Sequence, residues 1–225
     1  MSTRLIVDDS SQLQEMEDYP LAVRISAKVI SYIFHPVFVP VYLVCFLLYV
    51  QHDIFSGFAD FEKVKVLLQA LVSYLMFPII TVLLLKALGF ISSIYLSTRK
   101  DRIIPYIACN IWYFWIWNVW KNLPGYPKEV VVLSMAVFFA SVIGFLANIY
   151  MKISMHAIAM GVLVSFLVYL AFIQSAIPVM YISLGVLIAG LVTTARFIAS
   201  DHTRKEIYSG LFVGVIALLI SSSFV

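Results

Sequence analysis

The sequence predicts an all-α protein, a polytopic transmembrane bundle of about seven helical spans, and three observations carry that expectation. Hydrophobic residues make up 63% of the chain and charged residues only 12%, with mean hydropathy +1.00. A soluble domain carries roughly 45–50% apolar and about 25% charged residues, so too few charges are available here to cover a water-facing surface. The apolar residues are gathered into stretches near the length of about 20 that a helix needs to cross a bilayer core. Those stretches lack the period-two alternation of barrel strands, and backbone groups in lipid must be satisfied internally, which favours helices.

Taken in order, the stretches run over about 29–50, 65–90, 103–120, 129–150, 154–174, 176–196 and 207–225. The first contains His35, Pro36 and Pro40, which kink it or delay its regular start, and residues 20–34 suit an amphipathic lead-in along the interface. Residues 1–28 form a polar or interfacial N-terminal segment. It is acidic (Asp8, Asp9, Glu15, Glu17, Asp18) and lacks the basic start of a cleaved signal peptide, so the first span is expected to persist in the mature protein. The aromatic run Ile111–Trp120 reads as an interfacial belt or as a groove for an acyl or prenyl chain. The sixth stretch follows the fifth so closely that a tight hairpin around Pro178 is required. Cys45 and Cys109 lie within apolar stretches and act as small hydrophobes. A net charge of +3, scattered along the chain, excludes a nucleic-acid face.

Counting crossings places three polar clusters on one membrane face: Ser97 to Pro105, Lys152 to His156, and Arg196 to Glu206. Ionisable groups at membrane depth are costly and tend to line a site. Two histidines among guanidinium and ammonium groups suit an anionic, phosphoryl substrate, because arginine forks match phosphate oxygens and histidine serves as nucleophile or proton carrier. The helices beginning near His156 and His202 would add their positive ends. His202 and Glu206 are four apart and share a helix face. Arg196 and His202 are six apart, about 240° round a helix, and need a break at Ser200-Asp201 to meet. Glu206 also fits a capping box with Thr203, and Arg99, Lys100, Arg204 and Lys205 also read as plain loop charges. His35 and His52, lacking such neighbours in sequence, read as structural.

At these residues a resemblance becomes specific. The stretch from Ala195-Arg196 to His202, Glu206 and Gly210 resembles the last motif of the type-2 phosphatidic acid phosphatase superfamily, the lipid phosphate phosphatases, with Ala195 in place of Ser and Glu206 in place of Asp. Ser154-Met155-His156 resembles the middle motif without its Pro and Gly. Arg99-Lys100-Asp101-Arg102-Ile103-Ile104-Pro105 resembles the first motif without its preceding lysine. The resemblance covers about residues 90–215 and is that of a divergent bacterial-type member, with 29–225 as a single transmembrane phosphatase-like domain around a six-helix core.

The resemblance implies metal-independent hydrolysis of a lipid phosphate or polyprenyl diphosphate without a cofactor. His202 would attack phosphorus, Glu206 would orient His202, and His156 would protonate the leaving group. Arg196, Arg102 and either Arg99 or Lys152 would neutralise the phosphoryl oxygens, with the Ser154 hydroxyl helping. The expected partners are membrane lipids and a phosphorylated lipid substrate. The alternative is a non-catalytic protein of the same fold that binds, transports or assembles around lipid phosphate. A prenyltransferase would need Asp-rich magnesium sites, and the sequence has none.

The expected location is a cell (inner) membrane. Arg4, Arg24, Lys28, Lys86, Arg204 and Lys205 share the motif face with the cluster cations, against Lys63, Lys65, Lys121 and Lys128 opposite. The positive-inside rule then leans toward a cytoplasmic site. Setting the suspected phosphate ligands aside nearly cancels the bias, and bacterial relatives generally carry the site outward.

Overall fold

The computed structural model describes residues 2–7, 13–96, 98–173, 178–199 and 202–225. The connection preceding Pro178 and the break expected at Ser200-Asp201 lie outside the described residues, as does Ser97.

Among the described residues, five helices are long and apolar enough to cross a membrane: Asp60–Ala87, Lys128–Tyr150, Met155–Ile173, Val179–Ala199 and Arg204–Phe224. The first of these is one rod made of α3 (Asp60–Ala70), a π-helical turn (Leu71–Met76) and α4 (Phe77–Ala87). Pro78 has no N–H for the carbonyl four residues back, and the wider turn just before it relieves the clash of its ring with that carbonyl. The others are α6 (Lys128–Tyr150), α7 (Met155–Ile173), α8 (Val179–Ala199) and α9 (Arg204–Phe224). Between α4 and α6 runs α5 (Arg99–Asn122), whose 24 residues have the length of a span but a more polar composition.

The first expected span is not one helix. It divides into α1 (Leu21–Ile33) and α2 (Val39–Tyr49) around the turn that holds His35 and Pro36. At 1.5 Å per residue, the 11 residues of α2 reach about 16 Å, half of a bilayer core. The Tyr42 hydroxyl donates to the Ile33 carbonyl at 2.9 Å and holds the corner closed. A further departure from a wholly helical chain is an antiparallel hairpin, β1 (Ser2–Val7) against β2 (Leu13–Asp18), with Ser2 opposite Asp18.

The aromatic run is divided between bundle and surroundings. Trp112 stacks on Phe77 and donates to the Thr81 hydroxyl, and fully buried Trp120 donates to Gln69, whereas Trp115 is 60% exposed. Much of the run therefore fastens α5 to α3 and α4.

What positions the site is the approach of α7 to α9. Helices in lipid gain no hydrophobic free energy by associating, so close contact depends on small residues that let backbones meet. An added methyl at Gly161 would overlap the Leu211 carbonyl, and one at Gly214 the Ile158 carbonyl. At Gly210 it would lie 2.8 Å from the Ser154 carbonyl oxygen. The same approach lets the Ser154 N–H donate to the Glu206 carbonyl at 3.3 Å. α9 also packs on α6, α8 on α7, and α1 on α8.

Gly214→Ala is therefore expected to destabilise the protein by about 1–3 kcal/mol, the cost of overpacking against backbone that cannot yield. Gly190→Ala, where an added methyl meets nothing within 4 Å, should hold or raise the melting temperature. Thermal unfolding of both variants in detergent checks this, and matching losses would remove the close α7–α9 contact.

Candidate functional site

Each cluster sits where a helix begins or ends. Thr203 caps α9: its hydroxyl accepts the Glu206 N–H at 3.3 Å, while Glu206 Oε2 accepts the Thr203 N–H at 2.8 Å. The same Oε2 lies 3.1 Å from His202 Nδ1. Glu206 thus caps its helix and holds the imidazole at once, which unites the two readings its sequence position allows. A carboxylate oxygen only accepts, so His202 carries its hydrogen on Nδ1 and keeps the Nε2 lone pair.

His202 is 4% exposed. Burial pushes its pKa below the ordinary histidine value. The Glu206 hydrogen bond opposes that fall, and the charges of Arg102 and Arg196 add to it. The neutral form with a free Nε2 therefore persists to lower pH than in an ordinary histidine.

At the start of α7, the fully buried Ser154 hydroxyl accepts the Ala157 N–H at 3.4 Å, which turns the serine toward the role of a cap. His156 follows, and its Nε2 lies 3.0 Å from the Ser31 carbonyl on α1. A carbonyl also only accepts, so His156 donates from Nε2 and its Nδ1 holds the lone pair. Arg196 and His202 are close enough for their charges to act on His156, and Lys152 acts likewise on Glu206.

The arginines differ in their duties. Arg102, 5% exposed, donates through Nε to the Leu96 carbonyl and through an Nη to the Ile153 carbonyl, each at 2.8 Å. It straps the loop before α5 to the residue before Ser154 while its charge acts on His202. Arg99 donates to the carbonyls of Ile149 and Tyr150 at 3.3 and 3.2 Å, closing the C-terminal end of α6. Asp101, whose carboxylate accepts from the N–H and hydroxyl of Ser92, pins the preceding loop.

The structure thus gathers His202, Glu206, His156, Ser154, Arg102 and Arg196 into one neighbourhood, with Lys152 beside Glu206. Arg99 is committed to the end of α6. Sequence reasoning missed His35, whose ring meets that of His156 edge-on at a centroid distance of 5.3 Å. Its buried Nδ1 has no hydrogen-bond partner among the described residues, and Arg196 acts on its charge. The available signal was the His35-Pro36 break itself, since irregular backbone at membrane depth is tolerated where it is buried in protein or lines a cavity. Among the described residues, no group of three or more His, Cys, Asp or Glu could hold a metal ion.

Compared with known proteins, the chain matches no family model, no curated protein and no solved structure.

Glu206→Gln is expected to weaken the bond that raises the His202 pKa, so the Nε2 lone pair persists to still lower pH. Chemical modification of His202 by an imidazole-specific acylating reagent, followed against pH, should show its acid limb below 6.5 in the native protein and lower again in Glu206→Gln. A limb that rises on substitution would contradict the Glu206 contact.

Proposed function

We propose that the protein is an integral membrane phosphatase acting on a lipid phosphate or polyprenyl diphosphate through a phosphohistidine. The observation that carries this reading is the buried His202, pinned through Nδ1 to Glu206 and left with a free Nε2 beside two arginines. A neutral imidazole held in that tautomer is an activated nucleophile. Surrounding cations and the starts of α7 and α9 stabilise charge on a phosphoryl group.

In the first step a bond forms from Nε2 to phosphorus as the bond to the leaving oxygen breaks. The positive charge that develops on the imidazole is stabilised through Nδ1–H by Glu206. His156 Nδ1, a lone pair at rest, accepts the acidic P–OH hydrogen of the arriving phosphate and passes it to the leaving oxygen. Water then attacks phosphorus, gives a proton to His156 and displaces Nε2; His156 hands that proton to the departing phosphate, so both histidines return to their neutral forms. The charges of Arg196 and Arg102 neutralise the phosphoryl oxygens, with Lys152 adding to them. The lipid tail stays among apolar helices while the phosphate enters the cluster.

In this reading α5 and the α1–α2 pair complete a bundle of about seven spans in a cell membrane. The motif face leans to the cytoplasm by the cation count. A second reading, a non-catalytic protein that binds, moves or assembles around lipid phosphate, is favoured by one observation. Arg99 and Arg102 direct N–H groups onto backbone carbonyls, which leaves fewer for a phosphate.

Purified protein in chelator should release phosphate from phosphatidate or undecaprenyl diphosphate. His202→Ala should lower that rate by at least about a hundredfold, the range lost with a positioned proton-transfer or nucleophilic group. Equal rates for the two would end the phosphatase reading. Saturable lipid-phosphate binding without release would establish the second reading instead.

A further inference from the structure

One face of α5 carries a polar stripe that, beyond Arg102, the phosphate site does not use. Arg102, Tyr106, Asn110, Tyr113 and Trp117 follow at spacings of four, four, three and four. At 100° per residue they fall within an arc of about 80° and extend about 22 Å along the helix. The Tyr106 hydroxyl, Asn110 Oδ1 and Trp117 Nε1 are buried, and none meets a hydrogen-bond partner among the described residues. The same holds for the Tyr74 hydroxyl, from the π-helical turn, whose ring lies 5.7 Å from that of Tyr113.

The Tyr113 hydroxyl meets the Cys109 thiol on its own helix, whereas the ring contacts that α6 makes with the stripe are apolar. Tyr106 meets Phe145, and Trp117 stacks on Phe138, both from α6. Opposite the Tyr106 hydroxyl stands Gly144, where even an added methyl carbon would approach it to 3.3 Å. Buried hydroxyl, amide and indole groups are costly without partners, and several in a row at one helix interface amount to a polar seam. Buried water is the ordinary solution, each molecule making two to four hydrogen bonds. The upper end of the seam is Arg102, whose charge acts on both Tyr106 and His202.

We propose that the α5 stripe binds a file of water, running from Tyr74 and Trp117 to Arg102 and reaching the histidine site from within the bundle. Its further role, supplying the water that cleaves the phosphohistidine, rests on the phosphatase reading. The hydration itself does not. The π-helical turn serves this seam by directing the Tyr74 hydroxyl toward α5, in keeping with the frequent use of such turns at functional positions.

Radiolytic hydroxyl-radical footprinting in lipid nanodiscs tests the file, because radicals formed from bound water oxidise the side chains beside it. Tyr106, Tyr113 and Trp117 should be oxidised several-fold faster than Trp115, which is 60% exposed on the outer side of the same helix. Trp115 is two residues from both Tyr113 and Trp117, about 3 Å along the axis and on the opposite side of the helix, so for that pair depth is controlled. Faster oxidation of Trp115, or equal rates, would overturn the proposal.

A second measurement uses the sign of a stability change. If water satisfies the seam, Tyr106→Phe and Asn110→Leu lower the melting temperature and reduce oxidation of Tyr113. If the seam is dry, removing an unpartnered polar atom raises the melting temperature, and the proposal fails. A positive footprint in protein that releases no phosphate would leave the water file standing and remove its role in hydrolysis. Phosphate release with a dry stripe would do the reverse.

Discussion

The arrangement depends on two helix backbones meeting inside a hydrocarbon environment. Gly161 on α7 faces Leu211 on α9, and Gly214 on α9 faces Ile158 on α7, at separations that leave no room for a side-chain carbon. With the axes so close, the first turns of the two helices come into register, and the Ser154 N–H reaches the Glu206 carbonyl. His156 and His202 stand beside that bond, one just after Ser154 and the other just before Thr203. The neighbourhood of the two imidazoles therefore follows from glycines several residues away on either helix. Gly210, near the Ser154 carbonyl and the Ala157 side chain, extends the same contact to the edge of the site. Polar groups among apolar helices need a rigid frame, because bulk water is not at hand to satisfy one that is misplaced.

The cations around this frame divide into those that build it and those whose charge acts on the histidines. Arg99 lies at the C-terminal end of α6, where a positive group both fills unsatisfied carbonyls and suits the negative end of the helix dipole. Arg102 does double duty, since two of its N–H groups bind backbone oxygens while its charge remains next to His202. An arginine so held is preorganised: its position is fixed before any ligand arrives, which lowers the entropy lost on binding. Lysine, with a single charged head and no planar fork, could not bind the two carbonyls from the same distance and keep its charge in that place.

The sequence revealed the parts of the fold that repeat a physical rule over many residues. The apolar stretches near 129–150, 154–174, 176–196 and 207–225 each correspond to a long helix, within a few residues at the ends. The first stretch is shorter as a helix than as an apolar run, but its break was legible in the prolines, and the lead-in expected over 20–34 corresponds to α1. Pro36 and the residues around His35 form a turn that splits it into α1 and α2. The roles proposed for His202 and Glu206 rest on a four-residue spacing, and the geometry between them is local enough to be read from that spacing. His35 could not be found the same way. It meets His156 across 121 positions of sequence, because α1 packs on α8 and delivers the corner to the site. A spacing argument does not extend to contacts made by helix packing.

The two central histidines hold opposite tautomers, and the consequence is chemical. His202 commits Nδ1–H to a carboxylate and offers Nε2. His156 commits Nε2–H to a carbonyl and offers Nδ1. Both therefore present lone pairs in a neighbourhood whose cations are Arg102, Arg196 and Lys152, with the Glu206 carboxylate turned to His202 and the Thr203 N–H. A site built only of positive charge would hold any anion. Two acceptor nitrogens among cations instead favour a ligand with negative oxygens and an acidic hydrogen, and a singly protonated phosphate ester has both. The different partners also separate the functions available to the rings. A carboxylate behind His202 stabilises the positive charge it gains on bonding to phosphorus, whereas a neutral carbonyl behind His156 gives much less support to a cation. Of the two, His202 is suited to hold a phosphoryl group and His156 to carry a proton only in passing.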